Sequence, residues 1–174
     1  MRIDCIVMAG GKASRLGGVE KPLVSVCGGR PMVLGVLEAA SRVCDRILMV
    51  YSRHTRGIEV LCRTLAFPGL QCLEGSGEGY VEDLRTALGL VRVPALVLPA
   101  DTPHIDWVYL DDFLGKAIAA PGSVVNLVTS KGPTGISLFK DRGGSWWDIE
   151  YPHAPAFIDV DTPEDLEEAE EECS

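Results

Sequence analysis

The sequence predicts an α/β domain with a largely parallel sheet covered by helices on both faces. Three observations carry that prediction. Short β-branched or apolar runs alternate along the chain with stretches whose apolar residues recur at helical spacing. At 174 residues and 47% hydrophobic content the chain is long enough to bury a substantial core. The segments of unusual composition fall just after apolar runs, where ligands of open parallel sheets bind.

Taken in order, Ile3–Met8 reads as the first strand and Leu23–Val26 as the second. Pro31 sits at a first-turn position and opens a helix through Val43, in which Val33, Val36, Leu37 and Ala40 share one face. Strand Ile47–Tyr51, helix Thr55–Leu65, strand Leu70–Leu73, helix Tyr80–Val91 and strand Ala95–Leu98 follow. Helix Trp107–Ala119 and strands Val124–Val128 and Phe157–Val160 complete the middle of the chain. Thr162-Pro163-Glu164-Asp165 starts a last helix with a capping-box pattern and Pro at the first helical position. No repeat, linker or low-complexity tract interrupts residues 1–174, apart from the acidic tail. They read as one domain.

The net charge of −9 is unevenly placed. Residues 159–174 hold nine acidic side chains and no Lys or Arg, whereas residues 1–56 hold nine Lys or Arg against four Asp or Glu. The acidic tail reads as a solvated helix face. Overall the balance argues against a nucleic-acid partner, which calls for a strongly basic face, and is compatible with a small polyanion. No apolar run approaches a membrane span, and no signal-peptide pattern is visible, so a cytoplasmic protein is the expectation. Six cysteines without a CxxC pair, and three dispersed histidines, read as buried or incidental free thiols in preference to a zinc site or a disulfide framework.

The segment MAGGKASRLGGVEKPL, residues 8–23, places glycines and positive charge directly after the first strand. It is not a Walker A loop, because Ile6 stands where the first Gly belongs and Ala13 follows Lys12. Nor is it a dinucleotide fingerprint. Its physics still suits phosphate. Gly10 and Gly11 let backbone N–H groups approach oxygens, Ser14 adds a hydroxyl donor, Arg15 offers a planar fork and Lys21 a compact charge.

These residues resemble the signature of the nucleotidyltransferases that move a nucleoside monophosphate from an NTP onto a phosphate or sugar phosphate. That pattern is roughly A-G-G-x-G-x-R-[ML] followed by K-P, with Ala13 here where many members have Gly. Within the superfamily, GGVEKPL (17–23), GYVEDL (79–84), Pro133-Thr134-Gly135-Ile136 and Asp159-x-Asp161-Thr162 look like the archaeal-type GTP:adenosylcobinamide-phosphate guanylyltransferases. AGGKA (9–13), GGV (17–19) and DTP (101–103) are similar to molybdenum-cofactor guanylyltransferase, the near rival. The resemblance implies a three-layer Rossmann-like domain with a mostly parallel mixed sheet, as in nucleotide-diphospho-sugar transferases. It also implies an enzyme using GTP and adenosylcobinamide phosphate with Mg2+, and it leaves room for a homodimer. A GTP-binding module without transferase activity is the alternative of another class.

The resemblance assigns catalytic roles to Arg15, Lys21 and Asp101. It assigns nucleotide binding to Ala9, Gly10, Gly11, Ser14, Arg15 and Lys21. Gly75, Gly77, Glu78, Gly79 and Asp83 follow a short strand, where glycines open space for a planar base and Glu78, Glu82 and Asp83 can accept hydrogen bonds from guanine N1–H and N2–H2. Glu82 and Asp83 also suit the first turn of a helix for its dipole alone. Asp101, at the end of the run LVLPAD, and Asp159 are the expected metal ligands, hard oxygens of the kind Mg2+ takes. Asp161 either joins them or only caps the last helix. Gly135 permits close backbone approach by the ribose or acceptor, unless turn chemistry alone explains it. Of the adjacent Trp146 and Trp147, one is expected to be buried, with core or interface packing favoured over contact with a bulky acceptor.

Overall fold

The computed structural model describes residues 3–11, 16 and 19–173. Among the described residues the chain forms β1 (Asp4–Met8), β2 (Ser25–Val26), β3 (Arg30–Pro31), α1 (Met32–Val43), β4 (Arg46–Tyr51) and α2 (Arg56–Thr64). There follow β5 (Leu70–Glu74), α3 (Tyr80–Leu90), β6 (Ala95–Pro99), α4 (Trp107–Ala119), β7 (Val124–Thr129), β8 (Gly132–Phe139), β9 (Trp146–Tyr151) and α5 (Pro163–Glu171).

The main sheet has the order β5-β4-β1-β6-β8-β7-β9. β5, β4, β1 and β6 run parallel, β8 lies antiparallel between β6 and β7, and β9 pairs parallel to β7 at the edge. This is the three-layer, mostly parallel mixed sheet expected of a Rossmann-like fold. Alternate residues of β1 serve both faces. Cys5 and Val7 pack in the larger core with Val33, Val36 and Leu37 of α1 and Leu110 and Phe113 of α4. Ile6 packs on the other side with Ala87 and Leu88 of α3. Burial on both faces is why the strand is apolar throughout.

One polar side chain interrupts that pattern. Asp4 is fully buried, and its carboxylate accepts hydrogen bonds from Arg92 Nη2 (2.7 Å) and Arg92 N (2.9 Å). Burial alone would raise its pKa, but those bonds and the charges of Arg92 and Arg46 outweigh it and hold the carboxyl below its ordinary value.

Three expectations are corrected, and two strands are added. Phe157–Val160 is not a strand: Pro155–Phe157 forms a 3-10 turn, and the following residues run beside β6, where Val160 N donates to Asp101 O (3.0 Å). Leu23–Val26 divides between a 3-10 turn at Lys21–Leu23 and the two-residue strand β2, which forms a hairpin with β3. Strands β8 and β9 were not anticipated, because Gly and Pro in GPTGISLF and the paired Trp and acids of WWDIEY disguise them. Trp146 (75% exposed) and Trp147 (48%) both stand out from edge strand β9, so neither belongs to the core.

The cysteines are corrected as well. They are not free thiols: all six pair, as Cys5–Cys44, Cys27–Cys173 and Cys62–Cys72. Scattered spacing hid this, because pairing depends on which segments the fold brings together.

The last helix forms as its sequence implies. Thr162 Oγ1 accepts from Asp165 N (3.2 Å), and Asp165 Oδ2 accepts from Thr162 N (2.7 Å), so the two residues satisfy each other's backbone donors. Among the described residues no helix is long and apolar enough to cross a membrane.

Candidate active site

The carboxyl ends of β1, β4, β5 and β6 open onto a cavity of about 520 Å³. Met8, Ala9, Gly10 and Gly11 form one wall, Gly77, Glu78, Gly79, Tyr80 and Asp83 another, and Lys21, Asp101 and Asp159 meet between them. The first wall is held against β4: Ala9 N donates to Val50 O (2.8 Å) and Ser52 Oγ donates to Gly10 O (2.7 Å). At Gly11 an added Cβ would meet open space, so the backbone there is bare toward the cavity.

Lys21 is delivered by the 3-10 turn after the first loop. Its neighbour Glu20 secures that turn by accepting from Gly57 N (2.8 Å) and Ile58 N (3.1 Å), two of the unpaired donors at the start of α2. Lys21 Nζ lies 2.6 Å from Asp101 Oδ2 and 2.7 Å from Asp161 Oδ1. Burial alone would lower the pKa of this ammonium, but the two carboxylates outweigh it and raise the pKa, so Lys21 is charged.

Asp159 reaches the same place from the segment after the second 3-10 turn. Its side chain opens to the cavity yet is crowded by protein atoms. Desolvation, the Asp101 charge and a hydrogen bond with Asp101 push its pKa up to about 7. Two adjacent carboxylates are hard oxygen donors with an electrostatic conflict that a divalent cation relieves. Asp101 and Asp159 therefore suit Mg2+ or Mn2+ by donor chemistry. A smaller cavity of about 210 Å³ also includes Asp159 and Asp161 and extends to Lys131, His153 and Thr134.

The loop between β5 and α3 differs in detail from its sequence reading. Asp83 Oδ1 accepts from Ser76 N (2.6 Å) and Ser76 Oγ (2.8 Å), and Glu78 N donates to Ser76 Oγ (3.1 Å). Gly75 is not on the cavity wall; its missing Cβ makes room for Asp83, whose carboxyl carbon would lie 2.6 Å away. Gly77, at φ +72°, turns the chain back toward the cavity. The bond network thus shapes the wall that Gly77, Glu78 and Gly79 present. Gly135, at φ +78°, packs against Pro99, which lines the cavity, and is itself outside the lining.

Of the remaining expected residues, Ser14 and Arg15 lie outside the described residues. The structure adds Glu20, which anchors the Lys21 turn, and Tyr80 and His54 on the cavity wall. A charged pair in VEKPL was a visible signal for the first; nothing local pointed to the others. A larger hollow of about 870 Å³ runs along α1 past Arg30, Glu38, Arg42 and Asp45. It lies away from the strand ends that gather Lys21 and the aspartates, and Arg30 and Glu38 neutralise each other within it.

Comparisons with known proteins show the family and the fold. The family described as "MobA-like NTP transferase domain" matches residues 5–172. The adenosylcobinamide-phosphate guanylyltransferase of Methanocaldococcus jannaschii is 32% identical over 101 residues, which cover 57% of this chain and about half (52%) of that relative. The molybdenum cofactor guanylyltransferase of Shewanella sediminis is 26% identical over 199 residues, covering 98% of this chain and 97% of the relative. The crystal structure of Rv0371c from Mycobacterium tuberculosis H37Rv superposes with a TM-score of 0.75 at 17% identity, over 98% of each chain. The same protein has been solved in complex with manganese (TM-score 0.71, 14% identity, 99% of this chain and 100% of that one).

Proposed function

The chain belongs to the family of MobA-like NTP transferase domains, and from that premise we propose that it transfers GMP from GTP to the phosphate of adenosylcobinamide phosphate. The products are adenosylcobinamide-GDP and pyrophosphate. One observation carries the reading: Lys21, Asp101 and Asp159 converge between a bare glycine wall and a second loop wall, in a cavity of about 520 Å³. Likeness to the archaeal guanylyltransferase supports the acceptor and the base.

In this reading the triphosphate lies over Gly10–Arg15, and the guanine faces the wall of Gly77, Glu78 and Gly79. Asp101 and Asp159 would hold Mg2+, which supplies charge neutralisation at the phosphates. The acceptor is a phosphate monoester, already largely dianionic at neutral pH, so its oxygen needs no strong general base. That oxygen bonds to the α-phosphorus in line as the bond to the bridging oxygen of pyrophosphate breaks. Lys21 and Arg15 place positive charge beside the transferring and leaving groups. Catalysis comes from alignment and electrostatic stabilisation. We assign residues 1–174 to one nucleotidyltransferase domain acting in the cytoplasm, with a homodimer compatible with the exposed β9 edge.

Molybdenum-cofactor guanylyl transfer is the second reading, favoured by a match that spans nearly the full length of both chains. A turnover assay with Mg2+, each of the four NTPs and either acceptor separates the two. Nucleotidylated cobinamide from GTP, found by mass spectrometry, is the expected result. Product from molybdopterin alone moves the assignment to the second reading. GTP binding without turnover on either acceptor leaves a binding module.

A further inference from the structure

Cys27, His104 and Cys173 lie outside the cavity, yet each follows one of its charged residues along the chain: Lys21, Asp101 and Asp159. The two sulfur atoms and a ring nitrogen of His104 all lie within 4.8 Å of one another. In the structure Cys27 and Cys173 form a disulfide. Glu170 adds an oxygen donor beside them, with Oε2 3.8 Å from Cys173 Sγ and accepting from Cys27 N (3.3 Å).

Three further features mark a built cluster. Cys27 has φ +49°, a left-handed conformation that a non-glycine residue rarely adopts, followed by Gly28 and Gly29 at φ +82° and +102°. That turn presents the Cys27 sulfur to α5. The His104 ring is oriented by a 2.7 Å contact between Nε2 and Ala169 O, the kind of carbonyl contact that fixes imidazole ligands. Val26, Met32, Ile158, Val160 and Ala169 form a small apolar core that ties β2 and α1 to α5.

We propose that Cys27, Cys173 and His104, completed by Glu170, form a zinc site that is available when the Cys27–Cys173 disulfide is reduced. A dithiol supplies two electrons and two protons: the S–S bond breaks, two thiols form, and the dithiol becomes its own disulfide. Zn2+ then binds both sulfurs as thiolates and releases their two protons. Two thiolates, an imidazole and a carboxylate make a four-donor set suited to tetrahedral zinc. The disulfide ties β2–β3 to the end of α5, with His104 held to α5 by its Ala169 contact, whereas the metal would tie all three segments through one ion.

The test is cobalt titration, with Co2+ as a coloured substitute for zinc. In protein reduced by tris(2-carboxyethyl)phosphine we expect one Co2+ per chain, with thiolate-to-cobalt charge transfer and the visible bands of tetrahedral coordination, displaced by Zn2+. Unreduced protein should show neither. His104→Ala should keep the thiolate band but weaken affinity by more than about tenfold. The reduced Cys27→Ser/Cys173→Ser variant should lack the thiolate band, although the other two pairs are intact in sequence. A variant with Cys5, Cys44, Cys62 and Cys72 replaced by Ala leaves Cys27 and Cys173 as the sole thiols and should reproduce the wild-type spectrum. The proposal is overturned by folded, reduced protein with no band, by a full band in Cys27→Ser/Cys173→Ser, or by equal binding in unreduced protein. Reduction that unfolds both the wild type and the four-Ala variant, with no recovery of circular dichroism on adding Co2+, overturns it equally.

Discussion

Lys21 Nζ sits 2.6 Å from Asp101 Oδ2, although 80 positions separate the two residues in the chain. One is carried by the turn after the first loop and the other by the end of β6, and Asp161 reaches Lys21 from a third segment. The ammonium lies between two carboxylates, where the proposed reaction brings a triphosphate. Replacing Lys21 by Ala should lower turnover about 100-fold, the equivalent of ~3 kcal/mol in the transition state. The thermal midpoint should change little by comparison. Steady-state kinetics beside a melting curve checks this, and unchanged turnover removes Lys21 from the mechanism.

In the proposed mechanism Asp101 has a different task. Asp101→Asn keeps the shape but gives up one charged oxygen donor. The Mg2+ concentration for half-maximal turnover should rise on the order of tenfold, about 1.4 kcal/mol of lost coordination. Titrating turnover with Mg2+ and Mn2+ measures it. An unchanged midpoint counts against Asp101 as a metal ligand.

Asp83 shapes a wall through Ser76. Asp83→Ala removes a buried carboxylate that accepts two hydrogen bonds from that residue, freeing the loop that leads to Gly77 and Glu78. KM for GTP should rise about tenfold, from loss of one charge-assisted bond's worth of ordering, while kcat holds within a few-fold. Gly75→Ala should act in the same direction, because its Cβ would meet the Asp83 carboxylate. A drop in kcat with KM unchanged would contradict this positioning role.

Asp4 bears on stability. Its pKa is held below the ordinary 3.8, so it contributes stability that is fully present above pH ~4. That contribution is lost as the pH falls through its lowered folded-state value. Asp4→Asn should therefore destabilise by on the order of 2 kcal/mol at pH 7. The gap between variant and wild type should close below pH 4. Urea unfolding at pH 7 and pH 3 gives both values, and a gap independent of pH would show that the charge has no part in it.

Much of the fold was legible from local pattern. Residues 47–51 and 95–98 read as strands, and Val33, Val36, Leu37 and Ala40 as one buried helix face, because burial on both sides of a sheet or one side of a helix leaves a period in the sequence. Thr162 and Asp165 announced their reciprocal cap because both bonds form within one turn. Gly10, Gly11, Lys21 and Asp101, expected together from residue chemistry and a resemblance, do line one cavity.

Tertiary structure decided what depends on distant partners. β8 and β9 form because β6 and β7 offer edges, which GPTGISLF and WWDIEY do not reveal by themselves. Asp83, expected as a base contact, lines the cavity and also holds Ser76, a bond the sequence did not show because only the folded loop brings that backbone within 2.6 Å. The cysteines looked unpaired because pairing requires Cα atoms about 5–6 Å apart, a distance set by chain crossing and not by spacing. The sequence by itself determined the helices and the central strands β1, β4, β5, β6 and β7, because those follow from side chains and local periodicity. Only the fold decided which charges meet, which sulfurs bond and how Asp159 titrates, because each is fixed by through-space distance and the water that packing excludes.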